Sequence, residues 1–149
     1  MPQSLSNVII HLTFSTKGRA PWISQDIQTE LNGYIAGIFR NIDCNPIVIN
    51  SVSDHVHSLF AISRTRTLAE IVDKVKASSS RWMKISKKKF DFHWQSGYGA
   101  FSVSQSKIFV VQTYIKEQQE HHKKMTFMDE FLELLKRHEI AFDEKYLWD

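Results

Sequence analysis

The stretch IVINSVSDHVHSLFAI, residues 47–62, predicts a β-hairpin on which the arrangement of the rest of the chain depends. Its two apolar segments are rich in β-branched residues, and the Ser-Asp pair between them suits a tight turn. Because side chains alternate between the two faces of a strand, His55 and His57 point to one face and Val56 points to the other. The second strand of the hairpin therefore carries two neighbouring imidazoles.

Two further strands and two long helices flank this hairpin. Alternating apolar residues predict strands over residues 7–15 and 100–104. Apolar residues at helical spacing follow Ser24, which is a candidate N-cap. A capping box at Thr67 begins a second amphipathic helix, which is expected to end near Ile85. Each helix is long enough to cover one face of a sheet.

The C-terminal part of the chain is predicted to be helical. Residues 107–122 favour one helix, and Thr126 with Asp129 caps a last one. The order βαββαβ followed by helices predicts an α+β fold, a ferredoxin-like antiparallel sheet with helices on one face and additional C-terminal helices. At this length, residues 1–149 are expected to form a single domain.

The position of the two imidazoles relative to the helices follows from the alternation. The apolar stripes of the two long helices are expected to pack against the strand face that carries Val56, Phe60 and Ile62. His55 and His57 would then lie on the open side of the sheet, where a ligand can approach. Two ordinary surface histidines would give the same pattern, so the pair alone is weak evidence for a metal.

A second polar cluster is predicted on the helix over residues 107–122. Tyr114 and Gln118 are four residues apart, and His121 continues the same line. A phenol, an amide and an imidazole thus share one stripe. The same spacing also fits a helix that packs the tyrosine ring and leaves the other two side chains at its wet margin.

The charge of the chain is mildly positive, at +3, and the positions of the cations are more informative than their number. Lys17 and Arg19 follow the first strand, and Arg64 and Arg66 follow the strand with the two histidines. These residues either form a solvated surface or bind an anionic partner, above all a phosphate backbone. They are the candidate residues for contact with such a backbone, which means DNA if the partner is a DNA strand.

Composition limits the compartment and the class of protein. The hydrophobic fraction of 42% is that of a globular protein, and the single cysteine, Cys44, excludes an internal disulfide. The chain start lacks the pattern of a signal peptide, and no apolar run reaches the ~18 residues of a membrane span. A cytoplasmic location without membrane insertion is expected.

Together the two clusters contain the groups needed for phosphoryl-transfer chemistry. Two imidazoles and an amide oxygen can hold a cation with open positions, which polarises a phosphoryl oxygen. A tyrosine oxygen could then attack phosphorus and conserve the energy of the broken phosphodiester in a covalent bond. The predicted reaction is transesterification.

Four separated blocks, HLTFSTKGR, DHVHSLF, HWQSGYGAFSV and YIKEQQEHH, together point to a known family. In this combination and order the chain closely resembles the single-tyrosine HUH transposases of insertion sequences and their relatives associated with repeated extragenic palindromes. The resemblance extends from about Val8 to Phe131. It depends on the agreement of all four blocks and not on the histidine pair alone.

The resemblance implies a role for each residue of the two clusters. His55 and His57 match the paired metal ligands, Gln118 the third ligand, and Tyr114 the nucleophile that forms a 5′-phosphotyrosine and releases a 3′-hydroxyl. It also implies Mg²⁺ or Mn²⁺ as the cofactor. Two imidazoles by themselves would favour zinc or another transition metal.

The resemblance further implies the partners. Family members act as homodimers on single-stranded DNA with hairpin ends and often complete each active site with the tyrosine of the other subunit. Trp94 and Trp148 are either interface anchors or core residues. Two rival functions stay open: a hydrolytic metal-dependent nucleic-acid phosphodiesterase, and a catalytically silent nucleic-acid-binding domain.

Four residues near the motifs have no assigned role. Ser58 departs from the family pattern, in which an apolar residue commonly follows the histidine pair, and it is expected on the helix-facing side. His11 could approach the site from the first strand or be a structural histidine. His121 and His122 recur in relatives, but the sequence indicates no mechanism for either.

Overall fold

The computed structural model describes residues 2–149 and contains one four-stranded antiparallel sheet with the order β2-β3-β1-β4. This order confirms the ferredoxin-like prediction. The strands are β1 (Ile9–Ser15), β2 (Asn45–Val52), β3 (His55–Ala61) and β4 (Gly99–Val103). The helices are α1 (Gln25–Asn41), α2 (Leu68–Ile85), α3 (Ile108–Lys116), α4 (Gln118–His121), α5 (Phe127–Arg137) and α6 (Glu144–Leu147).

The helix starts agree with the predicted caps. The hydroxyl of Thr67 accepts a hydrogen bond from the backbone N–H of Glu70, and the hydroxyl of Thr126 accepts one from Asp129. Each bond satisfies one of the free N–H groups of a first helical turn. Ser24 precedes α1 in an extended conformation, as an N-cap does, although its side chain caps no backbone N–H.

One face of the sheet packs against α1 and α2. Leu12 and Phe14 of β1 and Val56 and Phe60 of β3 are fully buried there with the apolar stripes of both helices. Trp94 joins this core and donates its indole N–H to Ser79, so it is a core residue and not an interface anchor. The predicted direction of the even-numbered residues of β3 is confirmed.

The other face of the sheet is covered by the C-terminal helices, which contradicts the expectation of an open side. Ile115 of α3 packs on Ile9 and Leu59, while α5 packs on Phe101 of β4 through Phe131. His55 and His57 point away from α1 and α2 as predicted, but both are 0% exposed. The prediction failed because it treated the C-terminal helices as additions beside the sheet.

The predicted helix over residues 107–122 is interrupted. Its start is a 3₁₀ turn over Gln105–Lys107, and Glu117, with φ −97° and ψ 20°, separates α3 from α4. The side-chain amide of Asn50 on β2 donates hydrogen bonds to the carbonyls of Ile115 and Lys116, at 2.8 and 3.3 Å. Carbonyls left free at a helix end are thereby paired.

Two further sequence expectations concern Ser58 and the membrane. Ser58 lies on the helix-facing side as predicted, and its buried hydroxyl has no hydrogen-bond partner among residues 2–149. Over the same residues, no helix combines the length and the apolar character that crossing a membrane requires.

Candidate active site

The candidate site begins with three histidines on the two central strands. The register places His57 opposite Thr13, so His11 on β1 faces the same side as His55 and His57. His57 Nδ1 lies 2.7 Å from His11 Nε2, and His55 Nδ1 lies 2.7 Å from Asp54 Oδ1. Both imidazoles of the pair are thus held through Nδ1, and their Nε2 atoms face the C-terminal helices.

Glu130 on α5 meets these Nε2 atoms. Its Oε1 lies 2.8 Å from His57 Nε2, 3.5 Å from His55 Nε2 and 3.3 Å from His122 Nε2. The side chain is only 1% exposed. Burial alone would raise the pKa of Glu130, but the imidazoles of His57 and His122 hold it well below its usual range. The site therefore contains a buried, ionised carboxylate.

Tyr114 reaches the same carboxylate from α3. Its hydroxyl donates a hydrogen bond to Glu130 Oε2, and its ring lies 6.1 Å from the ring of His57 and 4.6 Å from that of His121. Burial and the negative charge of Glu130 raise the pKa of Tyr114 well above its usual value. The phenol is thus protonated and oriented, and it lies beside the histidine pair of its own chain.

Gln118, the first residue of α4, completes the group of four predicted site residues. Its Oε1 lies 3.2 Å from His55 Nε2, and its Nε2 donates to Glu130 Oε2 at 3.1 Å. It is fully buried. The fold therefore brings His55, His57, Gln118 and Tyr114 together, although the helix that was predicted to carry the last two is broken between them.

The donor set fits a divalent cation. One ligand atom from each of His55, His57, His122 and Glu130 lies within 4.8 Å of all the others. If His55 donates its Nδ1 proton to Asp54, its Nε2 carries a lone pair that faces the oxygens of Gln118 and Glu130. Lone pairs that converge in this way repel one another unless a positive charge lies between them.

The lowered pKa values of two buried imidazoles agree with a site that binds a cation. Burial lowers the pKa of His57, against the opposing effect of Glu130, and burial together with His57 lowers the pKa of His11 well below its usual value. Neutral imidazoles are the form that binds metals.

Two clefts meet at Tyr114. One, of about 470 Å³, is lined by three cations, Lys123, Lys124 and Arg137, and by three glutamates, Glu120, Glu130 and Glu133. The other, of about 560 Å³, is lined by Lys107 and again Arg137, with no carboxylate from residues 2–149. Arg137 also pairs with a glutamate one turn earlier on α5. An anionic chain that follows these clefts would pass the phenol.

The four predicted DNA-binding residues do not form one surface. Because β1 and β3 are antiparallel, Lys17 and Arg19 lie at one end of the sheet and Arg64 and Arg66 at the other. Strands of 7 residues separate the two pairs by roughly 20 Å. Lys17 and Arg19 are at the end nearer His55, and the Arg19 guanidinium lies over the Trp148 ring.

Sequence reasoning missed Glu130 and assigned no role to His122 or His11. The sequence did contain a signal that Glu130 is buried. It follows Phe127 by three residues and precedes Leu134 by four, so it lies on the apolar stripe of α5. A carboxylate at a buried helix position requires a partner. No sequence signal places the two histidines in the site. His122 reaches it through the packing of α4, and His11 reaches it through the pairing of β1 with β3.

Comparison with known proteins gives a family match and two similar structures. A family model described as "Transposase IS200 like" matches residues 4–118. A structure from Deinococcus radiodurans R1, provisionally assigned as a transposase, has a TM-score of 0.64 and 20% identity over 79% of this chain and 98% of that chain. The structure of a REP-associated tyrosine transposase bound to a REP hairpin has a TM-score of 0.60 and 11% identity, over 82% of this chain and 72% of that chain. At these identities the two structures establish the shared fold. No curated protein matches.

Proposed function

The chain belongs to the IS200-like transposase family, and from this premise we propose that it cleaves and rejoins single-stranded DNA through a covalent bond between Tyr114 and a 5′ phosphate. The observation that carries the proposal is the position of the Tyr114 hydroxyl, which shares the carboxylate of Glu130 with His57. The proposed nucleophile and the proposed metal-binding groups therefore lie close together within one chain.

The proposed reaction consists of two transesterifications. The oxygen of Tyr114 loses its proton to solvent and attacks phosphorus, and the bond from phosphorus to the 3′ oxygen breaks, which releases a 3′-hydroxyl. In the second step a 3′-hydroxyl attacks the phosphotyrosine and the phenol is restored. Each step exchanges one P–O bond for another, so no external energy source is needed.

The residues of the site have separate tasks in this scheme. Glu130 orients the Tyr114 hydroxyl, and its negative charge keeps the phenol protonated. A Mg²⁺ or Mn²⁺ ion held by His55, His57 and Gln118 would polarise the scissile phosphoryl group. Because burial and Glu130 both disfavour the phenolate, cleavage is expected to depend on that added positive charge.

Single-stranded DNA with hairpin ends is the proposed substrate, bound by a homodimer of this single-domain chain. The cleft beside Tyr114 that carries Lys107 and Arg137, without a carboxylate from the described part of the chain, supports an anionic substrate. Lys17 and Arg19 lie at the end of the sheet nearer His55. Arg64 and Arg66, at the far end, would contact DNA only beyond the cleavage site. The single cysteine, Cys44, favours a reducing compartment, and we place the activity in the cytoplasm.

The substitution Tyr114→Phe tests the proposal against both rival functions. We expect this variant to bind hairpin DNA as the wild type does but to form no covalent protein–DNA adduct, because the attacking oxygen is missing. End-labelled single-stranded DNA, incubated with Mn²⁺ or Mg²⁺ and run on a denaturing gel, measures the adduct. Tyr146→Phe, which removes the hydroxyl of an exposed tyrosine, is the matched control.

The other outcomes identify the rivals. Undiminished cleavage by the Tyr114→Phe variant would indicate hydrolysis by activated water and a structural role for the tyrosine. Absence of nicking by the wild type with either ion, on DNA that it binds, would indicate a catalytically silent binding domain.

A further inference from the structure

Three imidazole nitrogens surround one buried carboxylate oxygen in the site. Glu130 Oε1 lies 2.8 to 3.5 Å from the Nε2 atoms of His57, His122 and His55. Four ligands of a tetrahedral transition-metal ion, each 2.0–2.1 Å from the ion, are about 3.4 Å apart. The three distances from Glu130 Oε1 are thus close to the spacing of ligands around one ion, and all four ligand atoms lie within 4.8 Å of one another.

The hydrogen bonding of these groups is incomplete without such an ion. His122 Nε2 is buried and, among residues 2–149, makes no hydrogen bond, although it lies 3.3 Å from Glu130 Oε1. Within the same part of the chain, no Lys or Arg nitrogen lies within 4.0 Å of the Glu130 oxygens; its only ionic partners are histidines. A buried carboxylate without a cationic partner is costly, and an ion would compensate it.

We propose that Glu130 and His122 are ligands of the divalent cation in addition to His55, His57 and Gln118, and that the three imidazoles of this set select a transition-metal dication, such as Mn²⁺, Co²⁺ or Zn²⁺, over Mg²⁺. The inference rests on the proposed function only for the premise that the site binds a cation. Both added ligands lie beyond residue 118, where the family match ends. Glu130 lies on α5, and His122 directly follows α4.

The chemistry of these groups gives the selectivity. Imidazole nitrogen binds first-row transition-metal dications, least tightly Mn²⁺ and more tightly Co²⁺ and Zn²⁺, whereas Mg²⁺ prefers oxygen ligands in a near-ideal octahedron and retains several waters. The buried site sets three imidazole nitrogens against two oxygen ligands, one from Glu130 and one from Gln118, which is fewer oxygens than Mg²⁺ requires. The second oxygen of Glu130 binds the Tyr114 hydroxyl, so the same carboxylate connects the cation to the nucleophile.

Metal binding by the full chain, without DNA, tests the inference. We expect calorimetry to show Mn²⁺ and Co²⁺ binding at least tenfold more tightly than Mg²⁺, and both Glu130→Gln and His122→Ala to lose tenfold or more in Mn²⁺ affinity. The controls are Glu133→Gln, one turn along the same helix, and His93→Ala, an exposed histidine. Both should bind Mn²⁺ as the wild type does.

Equal Mn²⁺ affinity in the wild type and the two site variants would overturn the ligand assignment, and Mg²⁺ binding as tight as Mn²⁺ would overturn the selectivity. If the variants fail to fold, X-ray absorption of the Co²⁺-loaded wild type decides, since it distinguishes three imidazoles from two. A failed Tyr114 adduct assay beside the expected metal binding would refute the proposed function alone. Adduct formation with unaltered metal binding in the variants would refute this inference alone.

Discussion

Glu130 shows how one residue can join two functional groups. Its Oε1 faces the imidazoles and its Oε2 accepts hydrogen bonds from both the Tyr114 hydroxyl and the Gln118 amide. Each group alone could rotate to another rotamer, but a shared buried acceptor restrains both. Glu130 occupies a core position of α5. An apolar residue there would stabilise the fold more, but it could not connect the imidazoles to Tyr114.

Gly99 marks the closest approach between the sheet and α5. A Cβ at this position would lie 2.7 Å from Phe131 Cε2 and 3.0 Å from Phe101 Cζ. We expect Gly99→Ala to lower the free energy of unfolding by about 1–3 kcal/mol, because the aromatic rings must shift. Urea denaturation measures the change.

Gly37→Ala is the control for this substitution. Nothing lies within 4 Å of a Cβ at Gly37 in α1, so alanine should leave stability unchanged or raise it by up to ~1 kcal/mol. A Gly99→Ala variant as stable as the wild type would show that α5 does not pack on β4 as described.

At the scale of elements, a lysine of α2 holds the end of the loop that follows this helix. Lys76 Nζ donates hydrogen bonds to the carbonyls of Gln95, Ser96 and Gly97, at 2.8, 3.2 and 2.6 Å. This loop leads directly into β4, the edge strand that pairs with β1. The contact thus connects the α2 side of the sheet to the strand from which the C-terminal helices continue.

Lys76 also predicts a pH dependence of stability. Burial lowers the pKa of Lys76 to about 8, whereas an unfolded lysine titrates near ~10.4. Between these values the unfolded chain binds more protons than the folded chain, so the contribution of Lys76 to the free energy of unfolding rises with pH. Well below the folded pKa both forms are protonated and the contribution is constant.

The measurement compares urea denaturation of the wild type and Lys76→Met at several values from pH 7.5 to 10. The free energy of unfolding of the wild type should increase relative to the variant over this range. Lys74→Met, an exposed lysine of the same helix, should show no such difference. A difference that stays constant or falls with pH would contradict the lowered pKa.

At the scale of the whole molecule, the sheet has two buried faces that differ in composition. The face toward α1 and α2 is an apolar core, whereas the face toward α3, α4 and α5 combines two apolar clusters with the buried polar site between them. The site is therefore internal to one chain, and the clefts at Tyr114 are its openings.

This arrangement predicts how two subunits would work together. Tyr114 lies beside the histidine pair of its own chain, so each subunit of a homodimer should hold a complete site. A mixture of Tyr114→Phe and His57→Ala subunits should then form no covalent DNA adduct, since neither chain has both groups. The denaturing-gel assay on co-expressed subunits measures this.

Recovery of the adduct in the mixture would show that the tyrosine of one subunit serves the histidines of the other. Co-expression of wild-type and Tyr114→Phe chains is the positive control, because it retains complete sites in either arrangement.

Local sequence pattern was sufficient for much of the fold. Alternation in β3 determined that His55 and His57 share a face opposite Val56, and the capping residues Thr67 and Thr126 determined where two helices begin. These features depend on neighbours within about four residues, where backbone geometry alone relates side chains. The order of elements then left the ferredoxin-like sheet as the natural solution, and the strand order agrees with it.

Only the tertiary structure decided what covers the histidine face and what completes the site. Glu130 is 73 residues from His57 in sequence, and His11 is 46 residues from it, so no local periodicity relates them. Their contacts arise from the packing of α5 across the sheet and from the register of β1 on β3. The sequence determined which side of each strand and helix its polar residues occupy; long-range packing, driven by burial of the apolar stripes, determined which of those sides meet.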